Sequence, residues 1–118
     1  MTTQEVADKL VAYVRQGQII EAQSALYADD MVCIEPEGSM MPHITKGKKE
    51  IAEKGRQFAS MIEERHGGSC SDAVVGGRYF SISMSIDATM KGMGRQLLDE
   101  VCMYEVKDGK IVHEQFYY

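Results

Sequence analysis

Apolar residues first recur at helical spacing. Val6, Leu10, Tyr13 and Val14 share one side of a helix that Thr2-Thr3-Gln4-Glu5 opens as a capping box, and the pattern predicts a helix to about Gln16 that stops at Gly17. A second, short helix over roughly Gln18 to Tyr27 carries Ile19, Ala22 and Leu26 on one side. Ala28-Asp29-Asp30 ends it as turn and capping residues. The first strand then runs from Met31 to Glu35. After a loop, Gly47 precedes a longer helix from Lys48 to about Arg65, with Ile51, Gly55, Phe58 and Ile62 on one face.

From Gly67 onward glycines punctuate the chain and alternation replaces the helical period, which predicts four strands. They cover about Ser69 to Val75, Arg78 to Thr89, Gln96 to Val106 and Lys110 to Tyr117. Gly76-Gly77, the Lys91-to-Arg95 loop and the tight turn Lys107-Asp108-Gly109 join them, and such short joins favour antiparallel hairpins. In the long strand Phe80, Ile82, Met84 and Ile86 alternate with Tyr79, Ser81, Ser83, Ser85 and Asp87, giving one apolar face and one small polar face. Helices first and a meander afterwards spell an α+β fold, with a curved sheet wrapping the long helix.

Size and charge narrow the function. The 118 residues, 44% of them hydrophobic, suit one domain with one core. A net charge of −5 argues against nucleic acid or an anionic membrane as partner, because either wants clustered Lys and Arg. The densest basic run, Lys46-Gly47-Lys48-Lys49, is expected to be a solvated face at the start of a helix. No apolar stretch approaches the roughly 20 residues of a membrane span, and Met-Thr-Thr-Gln-Glu lacks the regions of a signal peptide, so a cytoplasmic protein is expected. Cys33, Cys70 and Cys102 are widely spaced and are expected to be reduced and half-buried. His43, His66 and His113 form no close pair with them or with each other, so no metal site is expected.

The order of elements, with "LYADD" before a strand, "EPEGS", a glycine opening the long helix and "DGKI" before the last strand, resembles the NTF2-like superfamily. Within it the chain is similar to the ketosteroid isomerase and SnoaL-like polyketide cyclase group. The resemblance implies a cone of three N-terminal helices packed on a strongly curved, mostly antiparallel sheet around an apolar cavity, and commonly a homodimer. It places Tyr13 of "VAYVRQG" at the oxyanion-hole tyrosine of ketosteroid isomerase, and Glu35 at the catalytic aspartate, which there also precedes a proline. Glu35 would then end its strand facing the cavity, while Glu37 faces water. The isomerase's second donor, a protonated carboxylic acid, has its place near Cys102, and a thiol is a weak donor. Glu100, two residues earlier on the same strand face, would substitute if a bulge shifts the register. Alternation aims Glu114, Phe116 and Tyr118 to one side of the last strand, which makes Glu114 a second pocket acid if that side faces inward.

The chemistry expected follows from burial. A carboxylate set against apolar neighbours such as Met40, Met41 and Phe80 loses solvation, so its pKa rises toward neutrality and suits it to take a proton. A tyrosine hydroxyl across the cavity stabilises the resulting enolate. One reading is a cofactor-free enzyme, an isomerase, cyclase or dehydratase, transferring protons on a small hydrophobic carbonyl compound. Glu35 is its base, Tyr13 the oxyanion donor, and Glu114 or Glu100 an auxiliary acid. Ligand-lining candidates are Tyr27, Met41, Phe58, Met61 and Phe80, continued along the sheet by Ile82, Met84, Cys102 and Phe116. The alternative reading is a non-catalytic module that binds a small hydrophobic ligand or dimerises. The uncharged face of Ser81, Ser83 and Ser85, joined by Tyr79, Val101 and Met103, is the expected dimer surface.

Overall fold

The computed structural model describes all residues from Met1 to Tyr118. Three helices and seven strands follow in the order α1 (Thr3–Arg15), α2 (Ile19–Leu26), β1 (Tyr27–Ile34), β2 (Ile44–Lys46), α3 (Lys48–Ser60), β3 (Ile62–Cys70), β4 (Val74–Gly76), β5 (Tyr79–Met90), β6 (Gly94–Lys107) and β7 (Lys110–Tyr117). The strands form one sheet in the order β2-β1-β7-β6-β5-β3, with β4 also pairing β5. Every pairing is antiparallel except β1 with β7. The fold is therefore the expected α+β cone, helices on a curved mixed sheet.

Local chemistry explains the boundaries. Thr2 and Glu5 exchange the two capping-box hydrogen bonds at 3.1 Å, and Gly17 leaves α1 with φ +71°. Between β6 and β7, Asp108 and Gly109 adopt φ +52° and +75°. Two successive left-handed residues match the twist of the flanking strands and close a two-residue hairpin, with Lys107 opposite Lys110.

Four details depart from the sequence expectation. The long helix ends at Ser60, not Arg65, and Ile62 to Cys70 form β3 against β5. That strand replaces the start of the one expected over Ser69 to Val75, whose remainder is the separate short β4. Ala28, Asp29 and Asp30 lie in β1 and not in a turn, because the strand starts at Tyr27. Ile44 to Lys46, expected as loop, add the edge strand β2.

The core gathers Val6, Leu10 and Val11 of α1, Leu26 of α2, Ile51 of α3, and Phe80 and Ile82 of β5, with Phe80 stacked on Tyr104 at 4.8 Å between ring centres. Alternation along β1, β6 and β7 then continues the same inward face past Cys33, Cys102 and Phe116 to the acids Glu35, Glu100 and Glu114.

Candidate functional site

Strand register stacks three carboxyl groups on successive rungs. Glu114 of β7 is paired with Cys33 of β1 and Tyr104 of β6, deep in the cone. One inward step further along the same strands come Glu35 and Cys102, the latter opposite Phe116. The next inward position on β6 is Glu100. Exposure rises in that order, from 3% at Glu114 through 6% at Glu35 to a half-buried Glu100. No bulge is needed for Glu100, since β5 and β6 pair without a register shift along their length.

Each acid has its own partners. The Tyr27 hydroxyl donates to Glu114 Oε2 inside the core. Glu35 lies beside the Lys54 ammonium, with Nζ 3.8 Å from Oε1, and accepts from the Tyr118 hydroxyl at 3.4 Å. Its backbone is held as well: Glu35 N–H donates to the His43 carbonyl at 2.8 Å, and His43 Nδ1 lies 2.7 Å from the Glu35 carbonyl oxygen, which pins the 36–43 loop at this edge. Glu37 is exposed in that loop, 3.5 Å from His43 Nε2. Glu100 Oε1 receives the Cys102 thiol at 3.7 Å.

Burial dominates the electrostatics. It pushes Glu35, Glu100 and Glu114 above the ordinary carboxyl value, and repulsion from neighbouring acids adds to it at Glu35 and Glu100. Lys54 draws Glu35 partly back, and the Tyr27 hydroxyl does the same for Glu114. Glu100, without a close cation, rises to about 7. Burial pulls the Lys54 ammonium down, but contact with Cys33 and the charges of Glu35 and Glu114 outweigh it and hold the proton on. Cys33 is itself pushed well up by burial and remains a thiol. Tyr27 and Tyr104 are likewise raised by burial and by neighbouring acids, so both stay neutral donors.

Tyr13 is half-buried and packs against the core cluster, outside the hydrogen bonds that link the interior acids. Phe80 and Ile82 are core residues at 1% and 2% exposure. Cys102 is buried beside Glu100, and the Phe116 ring lies under Lys54 with 5.7 Å from Nζ to its centre. Met41, Phe58, Met61 and Met84 are half-buried. No group of three or more His, Cys, Asp or Glu side chains has metal-binding geometry.

Sequence reasoning missed Lys54. The signal was present, because Lys54 is three residues after Ile51 and four before Phe58 and so shares their inward stripe. Two grooves lie elsewhere. One of about 500 Å³ runs between α2 and α3 past Ile20, Gln23, Asp29 and Lys48, whose ammonium donates to the Ser24 carbonyl. The other, about 290 Å³, crosses the outer sheet face at Tyr79, Met103, His113 and Gln115. Neither reaches the interior acids.

Comparison with known proteins places this architecture. The SnoaL-like domain family matches residues 1–118. A candidate SnoaL-like polyketide cyclase from Mesorhizobium loti is 36% identical with a TM-score of 0.91, and the match covers 100% of both chains. An NTF2-like protein from Burkholderia thailandensis has the same fold at 14% identity and TM-score 0.84, over 99% of this chain and 90% of that one. TerC, co-crystallised with polyporic acid, shares it at 18% identity and TM-score 0.76, over 98% and 90%. No curated protein matches the sequence. A full-length family match, a relative more than a third identical over its whole length, and a cone of three helices on a curved sheet agree: the chain belongs to the SnoaL-like family of NTF2-like proteins.

Proposed function

We propose that the chain is an enzyme of general acid–base chemistry acting on a small hydrophobic carbonyl compound without a cofactor, as an isomerase, cyclase or dehydratase. The observation that carries this is the ladder of three carboxyl groups facing one interior at graded depth. Glu35, whose ionised form is favoured by the Lys54 ammonium beside it, is the base that removes a proton from the carbon beside the carbonyl. Glu100, with its carboxyl raised to about 7, supplies the acid. Glu114 is locked to Tyr27 and braces the wall behind Cys33 and Lys54. Support for a small organic ligand comes from the relatives: one is a candidate polyketide cyclase and another was co-crystallised with polyporic acid.

The test is proton exchange. Hydrophobic ketones incubated with the protein in deuterated buffer should exchange their α-hydrogens, followed by mass spectrometry, and Glu35→Gln should abolish the exchange. Wild-type protein that exchanges none of a broad ketone panel, or a Glu35→Gln variant as active as wild type, would overturn the reading. The unit is a homodimer through the outer sheet face, where Tyr79, Val101 and Met103 stand 43%, 47% and 39% exposed on neighbouring strands.

A further inference from the structure

The interior contains a donor that is not fully used. Lys54 is only 9% exposed, yet its ammonium, with three N–H donors, makes a single hydrogen bond, to the Cys33 sulfur at 2.9 Å. Neutral sulfur is a weak acceptor. Glu35 Oε1, at 3.8 Å, is beyond hydrogen-bond reach, and the face of Phe116 offers only a cation–π contact at 5.7 Å. A second polar atom is orphaned next door. Thr45 of β2 pairs with Cys33 across the strands, so both side chains leave the same sheet face, and Thr45 Oγ1 is buried with no partner. Buried donors of this kind are normally satisfied, and here two with spare capacity flank one cysteine.

We infer that these donors serve the substrate's carbonyl oxygen and that Lys54 is the oxyanion donor of the site, a further catalytic residue resting on the acid–base reading above. The step balances in charge and atoms. The α C–H bond breaks, its proton forms an O–H bond on Glu35, and the electron pair moves onto the carbonyl oxygen as an enolate. One negative charge thus leaves Glu35 and appears on the substrate oxygen. While Glu35 is ionised it holds the ammonium by attraction across 3.8 Å. Once Glu35 is protonated that attraction ends, and the ammonium turns its free N–H groups to the new anion. The group of Glu35, Lys54 and substrate keeps the same net charge throughout, which is how a low-dielectric interior tolerates the intermediate. Thr45 Oγ1 is the second donor to the same oxygen. The ligands favoured are therefore those that present an ionisable oxygen at the end of a hydrophobic body.

The experiment uses 4-nitrophenol, whose ionised and neutral forms absorb at different wavelengths, titrated with the full chain over a pH series. Wild-type protein should bind it and lower the pH at which it ionises. Glu35→Gln, which mimics the protonated base, should lower that pH further. Lys54→Met should cut the bound ionised-to-neutral ratio by at least about tenfold, the loss of one charge-assisted hydrogen bond. If Lys54→Met does not fold, Lys54→Gln, which keeps the chain's polarity but not its charge, should give the same change. A bound phenol whose ionisation is the same in wild type and the Lys54 variants would overturn the role of Lys54 alone. A wild-type chain and a Glu35→Gln variant that both bind no 4-nitrophenol would overturn it together with the acid–base reading.

Discussion

Glu100 offers a prediction that joins the electrostatics to a stability measurement. Burial, helped by repulsion from Glu35, raises its carboxyl from 4.5 to about 7 in the folded chain. A carboxyl raised on folding favours the protonated form, so its contribution to stability is fully present below about 4.5 and is lost as pH rises through about 7. At about 1.4 kcal/mol per pH unit across that interval, holding Glu100 ionised costs the native state about 3 kcal/mol. Unfolding a chain of 118 residues releases entropy of roughly 0.25 kcal/mol/K at about 2.1 cal/mol/K per residue, so this loss lowers Tm by about 12 °C. Glu100→Gln keeps the shape and removes the titration. Thermal melts followed by circular dichroism at pH 4.5 and pH 8 read the difference directly. The variant should melt about 12 °C above wild type at pH 8, and the gap should close at pH 4.5. An equal gap at both pH values would refute the argument, because it would show that Glu100 titrates alike in the folded and unfolded chain.

Two further outcomes follow from packing. Tyr27→Phe strips the hydroxyl from a Glu114 that is 3% exposed; at about 1–3 kcal/mol for a buried group left unpaired, Tm should fall by about 4–12 °C. An unchanged Tm would mean that Glu114 does not depend on this bond. Val101→Glu puts a charge on the outer sheet face, and sedimentation should move from twice the 13.2 kDa chain mass to the single chain, whereas a wild type that already sediments as one chain removes the dimer.

Much of the cone could be read from the sequence because its signals are local. The capping box at Thr2 and the Asp108-Gly109 turn carry their geometry in the residues themselves, and Lys110 to Tyr117 emerged as one strand. The helix expected to reach Arg65 failed for the opposite reason. Met61-Ile62-Glu63-Glu64-Arg65 continues the helical pattern in composition and apolar spacing, and only pairing with the distant residues Ala88 to Met90 makes it a strand. Asp29 and Asp30 read as a turn by propensity, yet both side chains are exposed in β1 and cost the strand little. The site divides in the same way. Glu35, Glu100 and Glu114 were visible through alternation along their strands, which sets the face each side chain takes. Tyr27 was visible as a lining residue, but its bond to Glu114 spans 87 positions and depends on β1 lying parallel to β7. Lys54 was concealed by its type, since a lysine on an amphipathic helix is ordinarily solvated and only the assembled cone sets it against Glu35 and within the field of Glu114.

The central claim is that Glu35 is a proton acceptor inside a ligand site, and its own titration tests that most directly. Carbon-13 NMR of the glutamate carboxyls, with Glu35→Gln to assign the signal, should give a midpoint above the solution value of about 4.3. The midpoint should rise further when a hydrophobic phenol binds as its anion beside Glu35. A midpoint near about 4.3 that ignores the phenol would contradict the account and leave Glu35 as a solvated acid at the end of β1.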